Sequence, residues 1–74
     1  MQNVKDKGFL NKLGARVKKL RLERNLSQLD LGVLMDNYAE QIGRIERGQL
    51  NVSICTLKKL SESLQIPLKD LLDF

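Results

Sequence analysis

The chain has no histidine, no tryptophan, one cysteine and one proline among its 74 residues. With no imidazole and a single thiol, the usual ligand sets for zinc, haem and iron-sulfur clusters are missing, so no metal and no cofactor is expected. No disulfide can close within the chain, which fits a reducing compartment. The opening stretch MQNVKDKGFLNKLG is basic but has no apolar run of signal-peptide length. Nor is there anywhere a run of about 18 apolar residues. The expectation is a soluble, cytoplasmic protein with no membrane partner. Chemistry is missing too: no nucleophile-and-base pairing and no phosphate-cradling glycine loop stands in the sequence, so an enzyme is not expected.

What is present is a globular composition, 42% hydrophobic and 30% charged. A chain this short buries only about 60% of the surface its unfolded form exposes, which leaves room for one domain and makes self-association a natural supplement. Little room remains for a deep pocket, and no small-molecule ligand is expected. The net charge is +4, and it is unevenly spread. Residues 1–24 carry eight basic and two acidic side chains, net +6, whereas residues 25–74 carry five and seven, net −2. A uniform basic coating is excluded, but a polyanionic partner is permitted.

Hydrophobic spacing predicts five short helices and no strand. Leu10, Leu13, Val17 and Leu20 form one helical stripe in a first helix from Phe9 to Arg24. Residues 1–8 are assigned to a flexible basic tail and 9–74 to the folded domain. Ser27 and Asp30 resemble a capping box at the start of a second helix, Gln28 to Met35, with Leu31 and Met35 inward. Asp36 and Asn37 form a polar break, and Asn37 with Glu40 can cap a third helix, Tyr38 to Arg47. Tyr38, Ile42 and Ile45 are its expected buried face, and Gly48 is its left-handed C-cap. Ser53 caps a fourth helix with the stripe Ile54, Leu57, Leu60 and Leu64. Pro67 opens a last one, Leu68 to Leu72.

Two short helices joined by a tight turn beside a basic flank are the organisation of a helix-turn-helix. Gly32, inside the second helix, is best explained by a second helix crossing close above it. The segments Arg21-Leu-Glu-Arg-Asn-Leu-Ser-Gln28, Leu31-Gly32 and Ile42-Gly-Arg-Ile-Glu-Arg-Gly48 resemble the Cro/CI-type (Xre, lambda-repressor-like) helix-turn-helix family. The likeness extends from about Leu13 to Leu72. In length and in its basic first helix the chain is also similar to the small controller proteins of restriction-modification systems and to short phage or plasmid repressors. It departs from the family at the turn, where Asp36, Asn37 and Tyr38 stand in place of glycine, an apolar residue and a Ser or Thr cap.

The resemblance implies an all-α, five-helix DNA-binding domain: a transcriptional regulator, a homodimer on a palindromic operator in double-stranded DNA. Its third helix becomes the recognition helix, with Ala39, Glu40, Gln41, Gly43 and Arg44 at the base edges. Their chemistry suits that place, since Gln pairs with adenine, Arg with guanine, Glu with the cytosine amino group, and Ala with the thymine methyl. The plain alternative is a solvated helix face. Ser27 and Gln28, with Arg47, Gln49, Asn51 and Ser53 across the path, are the implied phosphate contacts. For Ser27 capping, and for Gln49 and Asn51 ordinary loop roles, remain open.

Glu46 opposes the dipole of its helix and needs a partner. The family pattern offers Arg21, while Arg47 or solvent are the local choices. Lys18, Lys19 and Arg16 are expected to supply a diffuse attractive field, and residues 1–8 are either a groove-tracking arm or a solvated tail. The apolar end Leu68, Leu71, Leu72 and Phe74 is the expected dimer surface. Cys55, in the first turn of its helix, is either a redox switch or an inert small residue. The rival reading is an antitoxin or adaptor that binds a protein partner through its C-terminal or helix-two surface.

Overall fold

In the computed structural model, which describes residues 5–36 and 38–74, five helices succeed one another: α1 Lys7–Glu23, α2 Gln28–Leu34, α3 Ala39–Glu46, α4 Ile54–Ser63 and α5 Leu68–Leu71. There is no strand among the described residues. α1 starts two residues before the expected Phe9, because the Asp6 carboxylate accepts from the Phe9 N–H and caps the helix there. Lys7 and Gly8 therefore leave the stretch assigned to the tail. Residues 1–4 of that stretch lie outside the described residues.

Three helices end in the same way. The residue after the cap takes the left-handed conformation, Asn25 at φ 56°, Gly48 at φ 70° and Gln65 at φ 58°. The following N–H then bonds five residues back, Leu26 to Arg21, Gln49 to Arg44 and Ile66 to Ser61. Only Gly48 has no side chain to strain there. Asp36, after α2, sits at φ 61° and so adopts the backbone that a glycine takes most readily. The expected Asn37 cap falls outside the described residues. α3 instead starts after Tyr38, which makes no side-chain capping bond.

Leu13, Val17 and Leu20 from α1, Leu31 and Met35 from α2 and its C-cap, Ile42 and Ile45 from α3, Leu60 and Leu64 from α4, and Leu71 from α5 make one core. Four expectations change. Tyr38 is 40% exposed and Ile54 66% exposed, so neither belongs to the buried stripe of its helix, and Leu57 is only half-buried. In both exposed cases the residue sits at a helix's first turn or cap, beyond the reach of the packed neighbours. Leu71 is fully buried and cannot form part of an intermolecular surface. Leu68 and Leu72 pack half-buried against the core, and Phe74 stays exposed with its ring 5.3 Å from that of Phe9.

The helices approach closely where glycines allow it. A Cβ on Gly32 would collide with the Ala39 backbone, and one on Gly14 would meet the carbonyls of Ile45 and Glu46. α2 and α1 thus each lie against α3 at backbone distance, fixing the helix expected to carry recognition from both sides. The Gly32 crossing is the one that its unfavourable place inside a helix suggests. Several of the N-terminal cations also work inside the fold. Arg16 donates to the Asp70 carbonyl at 2.8 and 3.3 Å, Arg24 to the carbonyls of Leu64 and Leu20, and Lys7 to that of Gly48 at 2.9 Å. Arg16 is therefore a strut between α1 and α5 rather than a free contributor to a diffuse field.

Candidate nucleic-acid interface

The candidate site begins with a buried ion pair. Arg21, on α1, donates from Nε to Glu46 Oε2 at 2.6 Å and from Nη2 to Oε1 at 3.1 Å, while Nη1 bonds the Leu26 carbonyl at 2.8 Å. The two side chains are 8% and 3% exposed. Every nitrogen of the guanidinium has an acceptor, and the Glu46 hydrogen bonds hold its pKa above the ordinary arginine value against the opposing effect of burial. A planar fork on a carboxylate is the geometry lysine cannot make.

Glu46 also accepts from Gln28 Nε2 at 3.0 Å. One carboxylate thus joins α1, the start of α2 and the end of α3. The bond takes one hydrogen of the Gln28 amide group and leaves the other for an outside acceptor. The space above Gly43 is lined by the same cluster: a Cβ there would stand 3.4 Å from Gln28 Oε1 and 3.1 Å from Arg47 Nη1. Gly43 is buried, so it makes room for Gln28 and Arg47 rather than presenting bare backbone outward. Arg47 in turn donates to Gln49 Oε1 at 3.1 Å.

Two serines mark helix starts on either side. Ser27 Oγ accepts from the Asp30 N–H and the Ser27 N–H donates to Asp30 Oδ2, both at 2.9 Å, a reciprocal capping box. Hydrogen bonding to the Ser27 backbone N–H first, and to the Ser27 side chain second, holds the Asp30 carboxyl below its ordinary pKa. Ser53 Oγ accepts from the Thr56 N–H at 3.1 Å. Gln41 lines a cleft with Tyr38, Asn51 and Ser53, beside the loop that follows α3.

On the outer side of α3, Glu40 and Arg44 are exposed and joined at 3.2 Å, one helical turn apart. Ala39 is half-buried, its methyl turned to Gly32 on α2, which places it at the edge of this face and not at its centre. Gln28, Gly43, Arg47 and Gln49 are brought together; Glu40 and Arg44 form a second group; Gln41, Asn51 and Ser53 form a third. Tyr38, like Ile54, is a residue the periodicity misplaced. Tyr38 lines both the cleft with Gln41 and a second one with Met35, Asp36, Cys55 and Lys59. Its one available signal was an aromatic ring at a cap position, where no ring satisfies a backbone N–H. Cys55 is exposed there. Among the described residues no group of side chains is placed to hold a metal ion, and no helix is long and apolar enough to cross a membrane.

The Helix-turn-helix (HTH_3) family model matches residues 17–71, a span that contains α2, α3 and every side chain of the three groups. The chain belongs to that helix-turn-helix family. Its members are DNA-binding transcription regulators of the Cro/CI type, not enzymes. Control protein C.BamHI of Bacillus amyloliquefaciens is 42% identical over 62 residues, 82% of this chain and 76% of that protein. Among solved structures, the restriction-modification controller protein C.AhdI from Aeromonas hydrophila superposes with a TM-score of 0.83 at 38% identity, covering 86% of this chain and 97% of that one. An HTH_3 family transcriptional regulator from Vibrio cholerae gives 0.81 at 28% identity, over 86% of this chain but 36% of its own. The helix-turn-helix of this chain is α2, the turn at Asp36, and α3.

Proposed function

We propose that this helix-turn-helix protein acts in the cytoplasm as a homodimer on a palindromic operator, regulating the genes of a restriction-modification system. The controller proteins to which it is 42% and 38% identical support the setting. The observation that carries the reading is the Glu46 carboxylate. By tying Arg21, Gln28 and α3 together it holds the outward face of α3 in fixed relation to the Ser27–Gln28 end of α2. A helix held this way enters a major groove in one orientation only. Glu40, Gln41 and Arg44 meet base edges, with Ala39 at the margin of that face and Gly43 beneath it giving room to Gln28 and Arg47. Gln28, Arg47, Gln49, Asn51, Ser27 and Ser53 line the phosphates on both sides.

One such domain reads a half-site. Leu68, Leu72 and Phe74, joined by Phe9 and without Leu71, form the dimer surface, and two recognition helices then stand about 34–36 Å apart. Selection of bound duplexes from a random pool tests the whole reading. It should return a motif with two-fold symmetry and one fixed half-site spacing. Salt-sensitive binding to every sequence, with no enriched motif, would overturn it.

A partner-binding role has one observation in its favour. Leu29, Val33 and Leu34 are 63%, 58% and 53% exposed on α2. An apolar face of this kind suits a protein partner, and co-purification of a stoichiometric protein in place of DNA is the result that would favour it.

A further inference from the structure

We propose that Glu40 and Arg44 form one reading unit in which Glu40 selects a cytosine next to the guanine read by Arg44, and rejects other bases there. This rests on the assignment of α3 as the recognition helix and adds to it the base that its acidic residue demands. The two side chains are 79% and 49% exposed, and Arg44 Nη2 lies 3.2 Å from Glu40 Oε1. They are the outward-facing charges of α3, since Glu46 is buried against Arg21.

In water this pair is weak, because both heads are solvated. A major groove changes the balance by removing that water. The guanidinium has five N–H groups in a fixed fork, so it can give one to Glu40 and still place two on the O6 and N7 acceptors of a guanine. The carboxylate has only acceptors. Arg44 satisfies one of its oxygens, and the other is left facing the base edges. There it finds a donor in the amino group of cytosine, but acceptors in guanine O6 and N7 and in thymine O4. Adenine offers its amino group beside the N7 acceptor, which makes it the poorer match. An unmatched carboxylate in a desolvated groove is unfavourable, and nearby phosphates make it more so. Glu40 therefore lowers affinity for most sequences and preserves it for one. Because the two heads touch, the cytosine must lie within about one base pair of the guanine, given the 3.4 Å rise along one DNA strand.

Random-pool selection followed by affinity measurement on the enriched site, with the base at each position varied, tests this for the wild type, Glu40→Ala, Glu40→Gln and Arg44→Lys. Circular dichroism melting accompanies each variant, and the exposed positions should leave the midpoint unchanged. The wild type should enrich a guanine with an adjacent cytosine. In Glu40→Ala the preference at the cytosine position should fall from on the order of tenfold to near none. Random duplex should bind several-fold tighter, since one negative charge has gone. Glu40→Gln should move that position towards adenine, and Arg44→Lys should blunt the guanine. If Glu40→Ala changes the affinity for all sequences by one factor and leaves every base preference intact, Glu40 is only a solvated charge and the proposal fails. If the wild type enriches no motif, the assignment of α3 fails and takes the proposal with it.

Discussion

Arg21 sits on the face of α1 that its apolar neighbours bury, yet it is held by Glu46 and the Leu26 carbonyl with no nitrogen left over. Desolvating this pair offsets much of its Coulombic attraction, but removing one partner strands the other. Glu46→Ala should therefore destabilise the fold by about 3–5 kcal/mol and lower the melting midpoint by more than ~10 °C. An unchanged calorimetric midpoint would deny the pair its bracing role. The sequence made this pair visible only through family likeness, because nothing in local spacing distinguishes Arg21 from Arg47 as the partner of Glu46. The bond from Gln28 to Glu46 had no sequence signal at all. It depends on two helices arriving at one point from opposite ends.

At the scale of elements, the ends of helices carry the information that hydrophobic periodicity lacks. Gln65 holds φ 58° with a full side chain, a conformation costing roughly 1 kcal/mol that glycine avoids. Gln65→Gly should raise the melting midpoint by a few degrees; a lowered midpoint would show that the turn tolerates glutamine without strain. In the first turn of α2, Asp30 works in its charged form. Its pKa is lowered in the folded state, so its contribution is complete above the ordinary aspartate value of 3.8 and is lost as the pH falls through the lower folded value. The stability advantage of the wild type over Asp30→Asn should thus be present at pH 7 and shrink in acid below that ordinary range. A difference that stays constant from neutral pH into acid would contradict it.

The same ends explain what was legible. The stripes Leu10, Leu13, Val17, Leu20 and Ile42, Ile45 were readable because their residues face a packed neighbour on every turn. Asp6 extended α1 beyond its stripe by capping, and Tyr38 and Ile54 fell outside the core because a helix's first turn projects past its packing partner. The crossing of α1 over α3 at Gly14 is legible only in part, since a glycine inside a helix marks a close approach without naming the helix that makes it.

For the whole molecule, the division of charge takes on structural meaning. Of the basic side chains in α1 and its cap, Lys7, Arg16, Arg21 and Arg24 hold carbonyls or a carboxylate within the fold, and the exposed remainder, Lys12, Lys18 and Lys19, is left for the general attraction that the proposed function requires. On the proposed reading recognition falls to α3, whose outward charges are one acid and one arginine in contact. Attraction and discrimination are thus separated onto different helices, and they should respond separately to mutation. The most direct test is the ratio of operator affinity to random-duplex affinity, measured at one fixed salt concentration for the wild type and for Arg44→Ala. If Arg44 reads a base, operator binding should weaken by about 1–3 kcal/mol more than random binding, so that the ratio collapses. Equal losses on operator and random DNA, leaving the ratio unchanged, would contradict a base-reading role for α3.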